Sequence, residues 1–120
     1  MGKNGSVKNL TQKEFESVIQ NNKIIVIDFW AQWCAPCLNF AKTYEKVAQT
    51  ETDILFTKVN IEEESDLAEL FHVRSIPHLV VFKEEVVIYS EAGSMPESTL
   101  KELLQQAREA DISEIKDNKE

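Results

Sequence analysis

The chain has 120 residues, of which 42% are hydrophobic, and its formal net charge is −8. This length suits one domain built around one core. Because a negative protein repels phosphate backbones and anionic lipids, its charge disfavours nucleic-acid and membrane-surface binding. The sequence contains no apolar segment long enough to span a membrane. The opening residues MGKNGSVKN lack the hydrophobic region of a secretion signal, so we expect a cytoplasmic protein.

The first half of the chain predicts two helices on either side of a buried strand. Thr11 is the expected N-cap of the first helix and Glu14 its capping-box partner. A short strand at residues 6–8 is expected to precede it. The run IIVIDF, residues 24–29, is rich in β-branched side chains, which is typical of a strand buried on both faces. A second helix is predicted over residues 34–49. Its expected buried stripe consists of Cys37, Ala41, Tyr44 and Ala48.

The second half predicts three strands and two helices. DILFTKVNI, residues 53–61, is the next strand, and the acidic run after it is interpreted as a solvated loop and helix start. Ser65 is expected to cap a short helix. HLVVF and VVIYS then indicate the two strands of a hairpin, whose turn lacks the usual Asn-Gly or Asp-Gly pair. A last helix is predicted to begin near Ser94, with Pro96 in its first turn and Glu97 in a capping box.

This order of elements predicts an α/β fold. Strands separated by helices favour parallel pairing, and the terminal hairpin adds an antiparallel strand. We therefore expect a central mixed β-sheet flanked by helices on both faces. The predicted domain covers residues 1–110. Residues 111–120 are predicted to be a charged C-terminal tail, with fraying from Ala110 onward because the apolar periodicity ends there.

The two cysteines of the chain are Cys34 and Cys37, within the stretch FWAQWCAPCLNF. Cys34 follows a buried strand and a short turn, so we expect it at the first turn of a helix. Unpaired backbone N–H groups and the helix dipole favour an anion there, which predicts a lowered pKa for this thiol. Cys37 lies one turn later and deeper, close enough for the two sulfurs to bond. Pro36 suits a first-turn position.

Three interpretations of the cysteine pair compete. A structural disulfide would close a very small loop and so contribute little stability. A zinc site would need His72 and His78 as further ligands, and their spacing matches no zinc-finger pattern. A redox-active dithiol is favoured, because a lone Cys-x-x-Cys pair in a reducing cytosol is more often catalytic than structural.

Three segments of the sequence carry a resemblance to a known family. VIDFWAQWCAPC is similar to the active-site segment of the thioredoxin family, whose usual form is WCGPC. KVNIEEESDLAELFHVRSIPHLVVFK resembles the central strand, third helix and cis-proline strand of that family, and AGSMPESTLKELL resembles its final glycine loop and helix. The likeness covers about residues 6–108. It implies a thioredoxin-like fold and a protein-disulfide reductase.

The resemblance implies four catalytic residues. Cys34 matches the attacking cysteine and Cys37 the resolving one, Asp28 matches a buried carboxylate behind the pair, and Lys58 matches the lysine near that carboxylate. Burial of Asp28 without partners also favours a raised pKa on physical grounds, which would let it accept a proton from Cys37 directly or through a water. The alternatives are that Asp28 is hydrogen-bonded and inert at the strand end, and that Lys58 is a solvated outward residue.

The resemblance also implies a substrate-binding surface. Trp33 matches the indole beside the active site, Pro77 the cis-proline that faces the disulfide, and Ile76 the residue that offers backbone hydrogen bonds to substrate. Gly93, which matches the glycine of the substrate groove, is the only glycine after position 5. This suggests a backbone position where φ is positive or where another backbone approaches closely, and a plain turn glycine is the alternative. The full set expected to contact substrate is Trp33, Ala35, Pro36, Ile76, Pro77, Ala92 and Gly93.

Four positions depart from the family pattern. Ala35 replaces the usual glycine between the cysteines, and Leu38 replaces a common lysine, which removes a positive charge near the thiolates. Lys42 stands where many members have a helix-kinking proline. His78 replaces a usual threonine. It is interpreted either as a residue that contacts substrate or titrates near neutral pH, or as a half-exposed strand residue.

The predicted activity is the reduction of protein disulfides through a Cys-Ala-Pro-Cys dithiol, with no cofactor or metal of its own. The expected partners are disulfide-containing substrate proteins and an external dithiol donor such as a thioredoxin reductase, and we expect a monomer. An alternative is a binding or chaperone-like module that acts mainly by holding a specific partner. A disulfide-forming oxidase is a third possibility, which the missing leader disfavours.

Overall fold

The computed structural model describes residues 7–113. Every helix and strand predicted after residue 8 is present, and the first strand forms at Lys8–Asn9, whereas Ser6 lies outside the described residues. No helix in this part of the chain is long and apolar enough to cross a membrane. The elements in chain order are β1 (Lys8–Asn9), α1 (Gln12–Asn21), β2 (Ile24–Trp30), α2 (Ala35–Thr50), β3 (Leu55–Asn60), α3 (Ser65–Leu70), β4 (His78–Lys83), β5 (Val86–Ala92) and α4 (Glu97–Glu109).

The five strands form one mixed sheet in the order β1-β3-β2-β4-β5. β1, β3 and β2 are parallel, whereas β4 is antiparallel to β2, and β5 is antiparallel to β4. The prediction of parallel pairing up to the hairpin is therefore wrong for β4. A parallel β4 would require α3 to return the chain to the other end of strands that are about 20 Å long. The six residues of α3 span only about 9 Å, which is too short. The 16 residues of α2 rise about 24 Å and do return the chain.

Both faces of the sheet are covered by helices. On one face, β2 contributes Ile24 and Val26 to a core shared with α2 and α4. On the other, it contributes Ile25, Ile27 and Phe29 to a core shared with α1 and α3. The strand is buried on both sides, as its continuous β-branched run predicts. The expected α/β class, a mixed sheet flanked by helices on both faces, is confirmed.

The side-chain caps predicted for three helices are not formed. Thr11 precedes α1 but makes no capping hydrogen bond with its side chain, and Glu14 forms an ion pair with a lysine of β1 instead. Ser65 is the first residue of α3 rather than its N-cap. α4 begins at Glu97, later than the predicted start near Ser94, and the Glu97 carboxylate contacts two lysines. Lysine ammonium groups within reach compete with backbone N–H groups for these carboxylates.

The buried face of α2 is wider than the predicted stripe. Ala41 is only half-buried and Leu38 is exposed. Because α2 packs against both the sheet and α4, its contact surface includes residues on either side of the central row. The buried residues of α2 are Cys37, Phe40, Tyr44, Val47 and Ala48.

Packing at the C-terminal end continues past the predicted start of fraying. Ile112 is buried, and the Lys83 ammonium donates hydrogen bonds to the carbonyls of Arg108 (2.8 Å) and Ala110 (2.6 Å). The prediction of fraying is therefore wrong for residues 110–112, because the tail still supplies a core side chain and two acceptors. Residues 114–120 lie outside the described residues, and the domain boundary at residue 110 stays a prediction.

Candidate active site

Both cysteines lie where β2 gives way to α2. Cys34 is the N-cap residue of α2 and Pro36 lies in the first turn, as predicted. A disulfide joins Cys34 to Cys37, whose Cα atoms are 5.2 Å apart. The backbone N–H of Cys37 also donates to the Cys34 sulfur over 3.2 Å. The same N–H and the helix dipole are placed to stabilise a Cys34 thiolate once the pair is reduced.

Both cysteines are buried, and Cys34 is the slightly more exposed of the two residues. Cys34 is 5% exposed and Cys37 is 1% exposed. Both pack in a small apolar cluster with Ala31, Trp30 and Ile76. Cys34 is therefore the residue of the pair that lies nearer to solvent, and Cys37 is almost completely enclosed. In the described part of the chain no three His, Cys, Asp or Glu side chains come together as metal ligands do, so the zinc alternative has no supporting geometry.

The segment just before β4 lies beside Cys34, and the residue after β5 is hydrogen-bonded to that segment. The Ile76–Pro77 peptide bond is cis, as the resemblance implies. The Ile76 carbonyl oxygen lies 3.8 Å from the Cys34 sulfur, and the Gly93 N–H donates to the Pro77 carbonyl over 2.7 Å. Gly93 has φ of +117°, and a Cβ there would meet no atom within 4 Å. Glycine is therefore required by the backbone conformation rather than by lack of space.

A groove of about 450 Å³ runs beside Cys34. Five of the residues predicted to form the site line it, whereas Pro77, Ala92 and Gly93 lie outside its lining at the ends of β4 and β5. The groove is mainly apolar and open to solvent on one side, which suits a short extended segment of another protein. Its lining residues are Trp33, Cys34, Ala35, Pro36, Ile61, Val73, Arg74, Ser75 and Ile76.

Trp33 is exposed over 64% of its surface, as predicted for an apolar contact beside Cys34. Its indole N–H donates to the carboxylate of Glu62 over 2.6 Å. Glu62 belongs to the acidic run that was interpreted only as a solvated loop and helix start. One member of that run therefore fixes the ring that borders the groove. Leu38, one residue after Cys37, is a second exposed apolar side chain.

Asp28 lies near the end of β2 and is only 2% exposed. Burial raises its pKa from 3.8 to about 8, although the positive charge of Lys58 acts in the opposite direction. Its Oδ1 atom has no hydrogen-bond partner among the described residues. A carboxyl group in this state is not the hydrogen-bonded, inert residue of the alternative interpretation. Near neutral pH it can both hold and release a proton.

Lys58 lies directly opposite Asp28 in the register between β2 and β3. It is half-buried, and its ammonium group lies 5.2 Å from the centroid of the Trp30 ring. This distance permits a cation–π interaction. Lys58 is thus held over Trp30 and acts on Asp28 through its charge, which differs from the fully solvated residue of the alternative interpretation.

His78 is buried, so the interpretation as a half-exposed strand residue is wrong. Its Nε2 lies 2.9 Å from the Ser90 hydroxyl, and its ring packs against the edge of Phe29. Burial lowers its pKa, although the charge of Glu91 acts in the opposite direction. The side chain lies on the face covered by α1 and α3, outside the groove lining, because strand alternation turns it away from the cysteines.

Comparison with known proteins gives an independent result. The family model described as Thioredoxin matches residues 6–106. The chain belongs to the thioredoxin family. It is 38% identical over 111 residues to a putative thioredoxin 2 of Streptomyces coelicolor, with 92% of this chain and 83% of that protein covered. It is 35% identical over 95 residues to thioredoxin 1 of Plasmodium falciparum, with 79% and 90% covered.

Solved structures give the same result for the fold. The solution structure of oxidised thioredoxin from Plasmodium falciparum aligns with a TM-score of 0.76 at 35% identity, covering 85% of this chain and 98% of that one. Thioredoxin f from spinach chloroplast, short form, aligns with a TM-score of 0.79 at 31% identity, covering 87% and 95%. The chain is therefore a thiol–disulfide oxidoreductase of thioredoxin fold. Membership in this family implies disulfide-containing protein substrates and a reductase partner in general terms.

Sequence reasoning missed five residues of the site, namely Glu62 and the groove-lining residues Ile61, Val73, Arg74 and Ser75. Glu62 was placed in the acidic run without a role, and Arg74 was not singled out. Arg74 lies two residues before Ile76, which was predicted to contact substrate, so its proximity in sequence was a usable signal. The Glu62 contact had no such signal, because 29 positions separate Glu62 from Trp33.

Proposed function

We propose that this oxidoreductase works as a reductase, in which Cys34 attacks and Cys37 resolves. The observation that carries this proposal is the Cys34–Cys37 disulfide at the start of α2, with Cys34 the more exposed residue of the pair. In the dithiol form, the Cys34 thiolate attacks one sulfur of a substrate disulfide, and the other substrate sulfur leaves as a thiolate. A mixed disulfide between Cys34 and the substrate results.

Resolution uses the second cysteine and the buried carboxylate. The Cys37 thiol gives its proton to ionised Asp28, and the resulting thiolate attacks the Cys34 sulfur. The substrate leaves with both of its sulfurs reduced, and the chain is left with the Cys34–Cys37 disulfide. The raised pKa of Asp28 supports this role, since a carboxyl with an ordinary pKa is too weak a base for a thiol.

The substrate segment contacts Trp33, Ile76–Pro77 and Ala92–Gly93, and pairs by short backbone hydrogen bonds with the chain at Ile76. An external dithiol donor such as a thioredoxin reductase returns the chain to the dithiol form. The protein acts as a monomer, and its place is a reducing compartment such as the cytoplasm, where the dithiol form persists.

The reductase activity is tested with insulin and dithiothreitol. Wild-type protein is expected to accelerate precipitation of the reduced insulin chains, whereas Cys34→Ser removes the attacking thiol and reduces the rate to that of dithiothreitol alone. Reduced Cys37→Ser, freed of dithiothreitol and then mixed with insulin, should accumulate the mixed disulfide with substrate, visible by non-reducing electrophoresis. Equal rates for wild type and Cys34→Ser would reject the reductase function and leave the partner-holding module as the better account.

A further inference from the structure

Arg74 is the one cation that lines the groove beside Cys34. It lies in the connection from α3 to β4, exposed, two residues before the carbonyl that faces the Cys34 sulfur. The groove is also lined by Trp33, Ala35 and Pro36, which carry no charge. A substrate segment that presents its disulfide to Cys34 therefore passes close to a guanidinium group.

The guanidinium of Arg74 makes no hydrogen bond or ion pair within residues 7–113. The other arginine of the sequence is used differently. Arg108 donates two hydrogen bonds to Asp53, both of 2.8 Å, and also contacts Glu51, so its positive charge is already paired with two carboxylates of the fold. A planar guanidinium binds a carboxylate through two parallel hydrogen bonds, so the unpaired Arg74 is suited to an acidic side chain from outside.

We propose that Arg74 is a specificity residue that selects substrates with an acidic side chain next to the reactive disulfide. The carboxylate binds the guanidinium while the substrate sulfur lies over Cys34. This inference rests on the proposed function, because it names the substrate class of the same site.

The net charge of −8 acts against this preference at long range. However, charges are screened beyond about 8 Å at physiological ionic strength, so a contact at Arg74 outweighs carboxylates elsewhere on the surface. The carboxylate nearest to Trp33, that of Glu62, already accepts the hydrogen bond of the indole.

The test uses three short peptides that each contain one intramolecular disulfide and differ only in the two residues flanking it, which are Asp, Asn or Lys. The reduced protein is mixed with each peptide at 150 mM salt, and kcat/KM is measured with the donor in excess. The quantity compared is the ratio of kcat/KM for the Asp peptide to that for the Lys peptide. We expect this ratio to fall roughly threefold to tenfold in Arg74→Gln, and further in Arg74→Glu.

Lys23→Gln is the matched control, because it removes one positive charge at the opposite end of the sheet. Lys23 precedes β2 whereas Cys34 follows it, and the seven residues of that strand span about 23 Å. Its side chain is exposed and its ion pair with Glu84 is 3.9 Å long. The Asp-to-Lys ratio of this variant should equal that of the wild type.

Each outcome bears on one of the two proposals. A ratio that is the same in Arg74→Gln and Lys23→Gln overturns the role of Arg74 while the reductase function stands. Wild-type protein that reduces none of the three peptides overturns the reductase function and this inference with it. A ratio lowered by Arg74→Gln and lowered further by Arg74→Glu supports both.

Discussion

Asp28 belongs to β2, a strand that is buried on both faces, and burial raises the pKa of its carboxyl group from 3.8 to about 8. The neutral form is favoured inside the protein, whereas the unfolded chain ionises this group above pH 4. The stability that the neutral carboxyl contributes is fully present below pH 3.8 and is lost as the pH rises through about 8. Burial of this one carboxyl group therefore makes the fold less stable at neutral pH, and it also raises the pKa on which the proposed proton transfer from Cys37 depends.

Asp28→Asn should therefore stabilise the protein in a pH-dependent way. Its free energy of unfolding relative to wild type is expected to increase between pH 4 and pH 8, by on the order of 3–5 kcal/mol, and to level off above that. Urea unfolding of the oxidised protein at pH 3.5, 6 and 8.5 measures this difference. A difference that does not change with pH would mean that Asp28 ionises normally in the folded state.

The end of α4 is held by side chains from two other segments. Lys83 of β4 is 5% exposed and donates to the carbonyl of Arg108, in the last turn, and to that of Ala110, just past it. Arg108, in that turn, pairs with Glu51 and Asp53 from the connection between α2 and β3. Because the last carbonyls of a helix have no partner within it, these contacts satisfy groups that would otherwise be unpaired and attach α4 to the sheet.

Lys83→Met should loosen this attachment. Methionine keeps most of the apolar stem but leaves the carbonyls of Arg108 and Ala110 without their donor, at a cost of about 1–3 kcal/mol in the free energy of unfolding. Lys101→Met is the control on the same helix, because its ion pair with Glu97 is exposed, and it should change stability by less than about 0.5 kcal/mol. Urea midpoints that shift equally for both variants would contradict the role of Lys83.

At the scale of the whole molecule, the net charge of −8 is the dominant long-range property. It attracts basic partners and repels acidic ones before contact, and salt weakens both effects. The charge on Arg74 acts only after contact, inside the groove. The long-range effect of net charge should therefore depend more strongly on ionic strength than the contact at Arg74 does.

Raising the salt concentration should change the reduction rate in opposite directions for two kinds of protein substrate. Between 20 and 300 mM salt, kcat/KM is expected to fall severalfold for a strongly basic disulfide protein and to rise for a strongly acidic one. The measurement is the rate of donor consumption with each substrate in excess. If the reduction rates of both substrates were independent of salt concentration, net charge would have no influence on association.

The sequence by itself determined the redox site and most of the architecture. The two cysteines, Pro36 and the preceding strand are contiguous, so local rules place Cys34 at the start of a helix. The strands and helices could be predicted from the spacing of their apolar residues, because each element buries one face or both faces in the core. The positive φ of Gly93 could be predicted because glycine is so rare in the chain.

Only the tertiary structure decided the features that join distant segments. The direction of β4 depends on the reach of α3, and the burial of His78 depends on which face of the sheet it meets. The turn from β4 to β5 adopts positive φ at Glu84 and Glu85 without the residues that favour it. The Trp33–Glu62 contact and the position of Arg74 in the groove arise from packing between elements, which no local pattern encodes.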